Sequence, residues 1–322
     1  MKTPHEPISQ SDSGESNVEV LSVGNELLSG TITNTNAQWI SSKITKAGGF
    51  VKRITTVGDC IIEISNAVKE CIERRPGWLI ISGGLGPTYD DMTLQGLSSA
   101  LGQELVLDPR AVEMLRKSYA RYKQCLVSDI KLNDAQLKMA KIPKGSLPIQ
   151  NPIGSAPAVF VEVKRESGVG TTRTRIFCLP GVPKEMKAIF SNIIMPQFKE
   201  IIGNYYFVES VFETIGVSES RLAPTLSRLV DSYPADDIYL KTHPKGYSYG
   251  VNVLGNHKAR SKSKPKPKLN IQIASKGKDK LQVEARYNTI LKELKEEIPK
   301  LGGRIRLTST KNKKLMAATK KG

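Results

Sequence analysis

Residues 78–101 constrain this chain more than any other stretch. Trp78-Leu79-Ile80-Ile81 is a short apolar run of the kind that forms a strand buried on both faces. It leads into Ser82-Gly83-Gly84-Leu85-Gly86-Pro87-Thr88-Tyr89-Asp90-Asp91-Met92-Thr93, after which Leu94, Leu97 and Leu101 mark one face of a helix. A strand, a glycine turn and a helix start packed so closely predict a grip on phosphate. Glycines let the backbone come close to a ligand and adopt positive φ. The helix start adds unpaired N–H groups and a positive dipole end. Adjacent Asp90 and Asp91 would repel a bare phosphate, so a divalent cation (Mg, Mn or Co) between carboxylate and phosphate is inferred. The plain alternative is that one of them only caps the helix.

The same alternation runs through the first two hundred residues. Val18–Val23 reads as a strand, and Asn36 as the cap of a helix carrying Ala37, Ile40 and Ile44. Phe50–Val57 reads as a second strand. Ile61, Ile64, Val68 and Ile72 keep helical spacing up to Pro76-Gly77. Asp108–Tyr122, Asp134–Ala140 and Pro183–Phe198 read as helices, and Ala158–Val163 with Arg175–Cys178 as a strand pair. Strands alternating with helices predict an α/β fold with a mostly parallel sheet covered on both faces. Gly24, Gly58-Asp59 and Gly83-Gly84 all fall at the C-terminal ends of predicted strands, the edge where open α/β sheets bind ligands.

Five ordered blocks give these positions a family. Val23-Gly24-Asn25-Glu26-Leu27-Leu28-Ser29-Gly30 with Asn34-Thr35-Asn36, then Thr56-Val57-Gly58-Asp59, precede the glycine signature. Asn151-Pro152-Ile153-Gly154-Ser155-Ala156-Pro157 and Leu179-Pro180-Gly181-Val182-Pro183-Lys184-Glu185-Met186 follow it. Together they resemble the MoaB/Mog fold in the form carried by the N-terminal region of the CinA family. The resemblance covers roughly residues 17–200 and implies a molybdopterin-binding-type domain at 17–203. Asp91 and Asp59 match carboxylates implicated in such proteins, and Asp90 is their CinA-type neighbour, so these three are the catalytic and metal-binding candidates. Gly24, Glu26, Asn36, Gly83, Gly84, Gly86, Pro87, Thr88, Asn151, Gly154, Ser155, Pro180, Gly181 and Glu185 are the candidates for contact with a nucleotide or pterin phosphate ligand. CinA-like proteins are associated with cleaving ADP-ribose to AMP and ribose 5-phosphate. MoaB/Mog domains bind molybdopterin and can adenylate it. Both activities are implied, as is a homo-oligomer. Ala158 departs from a common glycine and Met139 from a common glutamine.

From Tyr205 the texture changes. Tyr206–Ile215, Glu219–Val230, Ile238–Thr242, Leu269–Ala274, Asp279–Ile298 and Arg304–Leu307 spell βαββαβ, a small split-βαβ α+β domain at 204–308. By the same resemblance it is K-homology-like, and no deamidase domain of the CinA type is expected in it. Of the net charge of +17, residues 255–322 carry 20 Lys/Arg against 5 Asp/Glu, so the glycine-signature domain is almost neutral. That basic region, with a loop at 256–268 and a tail at 309–322, makes a weak RNA contact the rival of another class. No Gly-x-x-Gly clamp accompanies it, and Tyr287 is the only aromatic residue after Tyr249. The polar residues 1–16 read as a disordered leader without a signal sequence, and no apolar run is long enough to cross a membrane. Cys60, Cys71, Cys125 and Cys178 lack metal-type spacing and are expected as packed, reduced thiols in a cytoplasmic protein.

Overall fold

The computed structural model describes residues 14–167, 170–234, 237–248, 251–254, 257–260 and 264–310. The chain divides after Gly203 into two units. The first contains β1 (Asn17–Val23), a single helical turn α1 (Asn25–Leu28), α2 (Thr35–Lys46), β2 (Phe50–Val57), α3 (Ile61–Arg74), β3 (Trp78–Ser82) and α4 (Thr93–Leu101). Then come β4 (Leu105–Leu107), α5 (Pro109–Lys123), α6 (Asp134–Lys138), β5 (Lys141–Pro143) and β6 (Leu147–Ile149). A hairpin of β7 (Ala158–Ser167) and β8 (Gly170–Leu179) leads into α7 (Pro183–Ile189), a π-helical turn at Phe190–Ile194, and α8 (Met195–Ile202).

Six strands form one sheet in the order β2-β1-β3-β8-β7-β6. The first four run parallel, and β7 and β6 extend the sheet antiparallel. Side chains alternate across a strand, so neighbours in β3 enter different cores. Leu79 and Ile81 join Leu21, Ile64, Val68, Leu97 and Leu115 under α3, α4 and α5. Trp78 and Ile80 join Ile40, Ile44, Phe177, Phe190 and Phe198 under α2, α7 and α8. Both faces of β3 are therefore dry, which is why its sequence is apolar without alternation. Trp78 stacks on Phe177 and meets the edge of Phe198, and Trp39 meets the edge of Phe190 in the π turn.

Several expectations need correction. Gly14–Ser16 is not loose leader: it forms a helical turn in which the Glu15 carbonyl accepts the Trp78 indole N–H at 2.9 Å. A buried indole needs such an acceptor, and residues 1–13 lie outside the described residues. β7 and β8 are ten residues each, because antiparallel pairing continues beyond the apolar stretch to Ser167 and Gly170. The short ladder between β4 and β5 was not legible at all. Of the four free cysteines, Cys71 and Cys178 are buried, with Cys178 pushed up to about 12 by burial. Cys125 is exposed and Cys60 half-buried, so these two are not core residues.

The second unit contains β9 (Tyr206–Ile215), α9 (Glu219–Asp231), β10 (Ile238–Ser248), β11 (Val251–Leu254), β12 (His257–Arg260), β13 (Lys266–Gly277), α10 (Lys280–Lys300) and β14 (Arg304–Thr310). Its sheet order, β10-β13-β9-β14 with every neighbouring pair antiparallel, is that of a split βαβ. This four-stranded sheet lends the K-homology likeness no support. The basic loop is not wholly irregular either, since β11 pairs with β12 and Lys266 already belongs to β13. Several basic side chains are engaged within the unit. Lys268 and Arg306 reach Glu213 at 2.7 and 3.0 Å, Arg286 reaches Asp237 at 2.6 Å, and Arg228 reaches Glu293 at 2.8 Å. The described part of this region thus gives an RNA contact no support; residues 311–322 lie outside the described residues. Among the described residues no helix is long and apolar enough to cross a membrane.

Phe198→Ala should destabilise the first unit by about 3–5 kcal/mol, because the fully buried ring leaves a cavity against Trp78. Both tryptophans lie in this unit, so a denaturant titration followed by tryptophan fluorescence reports it alone. In the second unit the Lys268 ammonium, aided by Arg306, holds the Glu213 carboxyl below the usual carboxylate range. A depressed folded value stabilises above the unfolded pKa and is lost as pH falls through the folded one. Lys268→Met should therefore move the acid-unfolding midpoint of this unit to higher pH, read by far-ultraviolet circular dichroism.

Candidate functional site

In the order β2-β1-β3, the chain leaves β1 in opposite directions on its two sides, which opens a crevice at the strands' C-terminal ends. A cleft of about 270 Å³ lies there. Gly24 after β1, Asp59 after β2, Gly83 and Gly84 after β3 and Gly181 after β8 all line it, with Glu26, Asn34, Asn36, Ser82, Asp90 and Asp91.

Two asparagines at the start of α2 staple the strand ends together. The cap of α2 is Asn34, not Asn36: its side chain accepts from the Ala37 N–H at 3.1 Å and donates to the Ser22 hydroxyl at 2.9 Å. The Asn36 amide donates instead to the Ser82 hydroxyl at 3.1 Å and to the Gly181 carbonyl at 2.8 Å, so it ties α2 to β3 and to the segment after β8. Gly83 has φ +110°, and a Cβ there would run into the Val23 carbonyl oxygen. Its N–H donates to the Leu179 carbonyl at 3.0 Å, which corrects the expectation that this amide is offered to phosphate. Gly84 (φ +65°) turns the chain so that the Thr93 hydroxyl can donate to the Gly83 carbonyl at 2.7 Å and the Thr93 N–H to the Gly84 carbonyl at 3.2 Å. The first turn of α4 is thereby fixed to the end of β3.

Each carboxylate is held differently. Asp59 accepts the Asn25 N–H at 2.8 Å, while the Asn25 side chain accepts the Asp59 N–H at 3.2 Å, a reciprocal lock between the ends of β1 and β2. Glu26 folds back over Gly24, occupying the space a side chain at 24 would need. Asp91 accepts from the Thr88 N–H at 2.9 Å and from the Thr88 hydroxyl at 2.5 Å, all through Oδ2, and bears against Gly86. Lys138 donates to the Thr88 carbonyl and thus braces the same turn. The exposed Asp90 carboxyl is held below the usual range, chiefly by the Thr88 hydroxyl and its own backbone N–H, with the Lys138 charge adding to this.

Glu26, Asp59, Asp90 and Asp91 give the cleft four carboxylates, and no Lys, Arg or His lines it. Such hard oxygen donors suit Mg²⁺ or Mn²⁺. Among the described residues, however, no three carboxylate, Cys or His side chains converge to hold one ion by themselves. The donor set fits a cation that keeps waters and takes part of its shell from a ligand's phosphates, as Mg²⁺ commonly does.

Other candidates stand apart from this cleft. Gly86 lines a separate small hollow, and Thr88 serves as the partner of Asp91. Pro87 lies in that same turn. Asn151 is fully buried and braces its loop: it donates to Glu185 at 2.7 Å and to the Ala156 carbonyl at 3.0 Å, and accepts from the Gly154 N–H at 2.8 Å. Asn151, Gly154, Ser155, Pro180 and Glu185 do not line the cleft. Asn25, Asn34 and Ser82 were missed as site residues although the matched blocks contain them, since capping and hydroxyl contacts leave no spacing pattern. Lys138 carries no motif signal.

Residues 19–200 match the family described as "probable molybdopterin binding domain". The chain belongs to that family, and within it is a CinA-like protein. It is 40% identical to a protein of Pyrococcus furiosus over 237 residues, 73% of this chain and 88% of that one. Identity to a protein of Sulfurisphaera tokodaii is also 40%, over 287 residues, 89% of this chain and 97% of the relative. The crystal structure of CinA from Thermoplasma acidophilum, a protein of unknown function by its own description, is 37% identical; the match covers 59% of this chain and all of that one, with a TM-score of 0.48.

Gly83→Ala should cost more than about 1 kcal/mol, since the added Cβ meets backbone at positive φ. The same substitution should open the seam between β1 and β3, seen as faster hydrogen exchange at the Gly83 and Gly24 amides.

Proposed function

We propose that this cleft binds a phosphate-bearing nucleotide or pterin, and that the protein is a divalent-cation-dependent pyrophosphatase acting on ADP-ribose or a related nucleotide diphosphate. The observation that carries the reading is the cleft's charge: four carboxylates and no base. A diphosphate enters such a place only with a cation beside it. Asp59, Asp90 and Asp91 would hold the ion, which when bound neutralises phosphate charge and acidifies an attacking water. The Thr88 hydroxyl keeps Asp91 facing one way, leaving Oδ1 without a hydrogen bond among the described residues. The Asn34 and Asn36 ties hold the strand ends at a fixed spacing, so little reorganisation is needed at the moment of reaction. Water adds to one phosphorus of the anhydride and the other phosphate leaves, giving AMP and ribose 5-phosphate.

A second reading rests on the family's description, which names molybdopterin. On it the same cleft binds the pterin phosphate and adenylates it from ATP. The two readings share phosphate, cation and acidic cleft, and differ in the ring system bound.

Incubation with ADP-ribose and Mg²⁺, Mn²⁺ or Co²⁺ should yield AMP and ribose 5-phosphate, measured by chromatography. Asp91→Asn should lower kcat by a hundredfold or more, about 2.7 kcal/mol. Turnover unchanged in that variant removes the assignment. Absence of turnover together with tight molybdopterin binding selects the second reading.

A further inference from the structure

The acidic cleft has a basic neighbour. Across the wall formed by Gly84 and Asp91 lies a hollow of about 40 Å³, room for roughly three waters or one phosphate group. Lys138 and Lys141 line it, together with Gln95 and Gly86. Lys138 stands in the last turn of α6, whose start is fixed by a reciprocal Asn133–Gln136 cap. One of its N–H groups goes to the Thr88 carbonyl, and an ammonium has three. Neither lysine has a carboxylate within ion-pair distance among the described residues. The first turn of α4 borders the same space through Leu94 and Gln95. In that turn the Thr93 N–H is taken by the Gly84 carbonyl, and the next amides have no partner inside the helix. Asp91 is the one carboxylate on this side.

We propose that this hollow is an anion subsite that takes a phosphate monoester end of the ligand, with Lys138 and Lys141 as its binding residues. The rest of the ligand then lies in the acidic cleft, so the Gly84–Asp91 wall sorts the two by charge. The proposal rests on that cleft being the ligand site, and it requires no hydrolysis.

The test is calorimetric titration of the whole protein with AMP, and with inorganic phosphate as competitor, without added metal. AMP should bind with an affinity that falls as salt rises, and inorganic phosphate should displace it. Lys138→Met and Lys141→Met should each weaken AMP about tenfold, the worth of one charge-assisted hydrogen bond. Lys138→Arg should retain most of the affinity. Lys141 touches no part of the signature turn in the described contacts, so its variant isolates charge from loop bracing. AMP affinity unchanged in both methionine variants overturns the subsite, as does a wild-type protein that binds neither AMP nor phosphate. An inactive protein that binds AMP through these lysines fails the hydrolase reading alone. An active one whose AMP affinity ignores both lysines fails only this proposal.

Discussion

The close approach of β1 and β3 at their C-terminal ends underlies the rest of the structure. It exists because residue 83 has no side chain: any Cβ would strike the Val23 carbonyl. With the two strands at that distance, the Gly83 amide reaches Leu179 and the Thr93 hydroxyl reaches the Gly83 carbonyl. One missing methyl thus fixes where β8 ends, where α4 begins and where the signature turn sits. Glycine here serves packing of backbone against backbone, and room for a ligand is a consequence.

Much of the fold was legible because both faces of the central strands are buried. Phe50–Val57 and Tyr206–Ile215 have the bounds the sequence suggested, and β3 extends its apolar run by one serine. What escaped was structure held by polar or backbone contacts. The tie of Glu15 to Trp78, the β4–β5 ladder and the outer halves of β7 and β8 carry no hydrophobic period. In the site, the matched blocks brought Gly24, Asp59, Gly84 and Asp91 to one rim, but residue type alone could not separate lining from bracing. Asn36 and Asn151 were equal candidates on paper. In the fold one ties strand ends beside the cleft, and the other is consumed by its own loop.

Charge is distributed here with more contrast than the net value of +17 suggests. The cleft is acidic, the hollow next to it is basic, and only Gly84 and Asp91 stand between them. In the second unit Glu213 engages two of the cations that composition had offered to nucleic acid. A bulk count therefore misdirects in both places, since what a partner meets is the local sum within about a Debye length.

The widened turn at Phe190–Ile194 has a consequence for how this lineage tolerates insertions and deletions. A π turn holds one more residue than the α turn it replaces. Losing a single residue there would restore a regular helix but swing everything after it by about 100°. The Phe198 ring would leave Trp78 and the floor beneath Gly49, both of which it now fills. Chain length between 190 and 194 is therefore held as firmly as any side chain, and homologous chains should keep their gaps elsewhere.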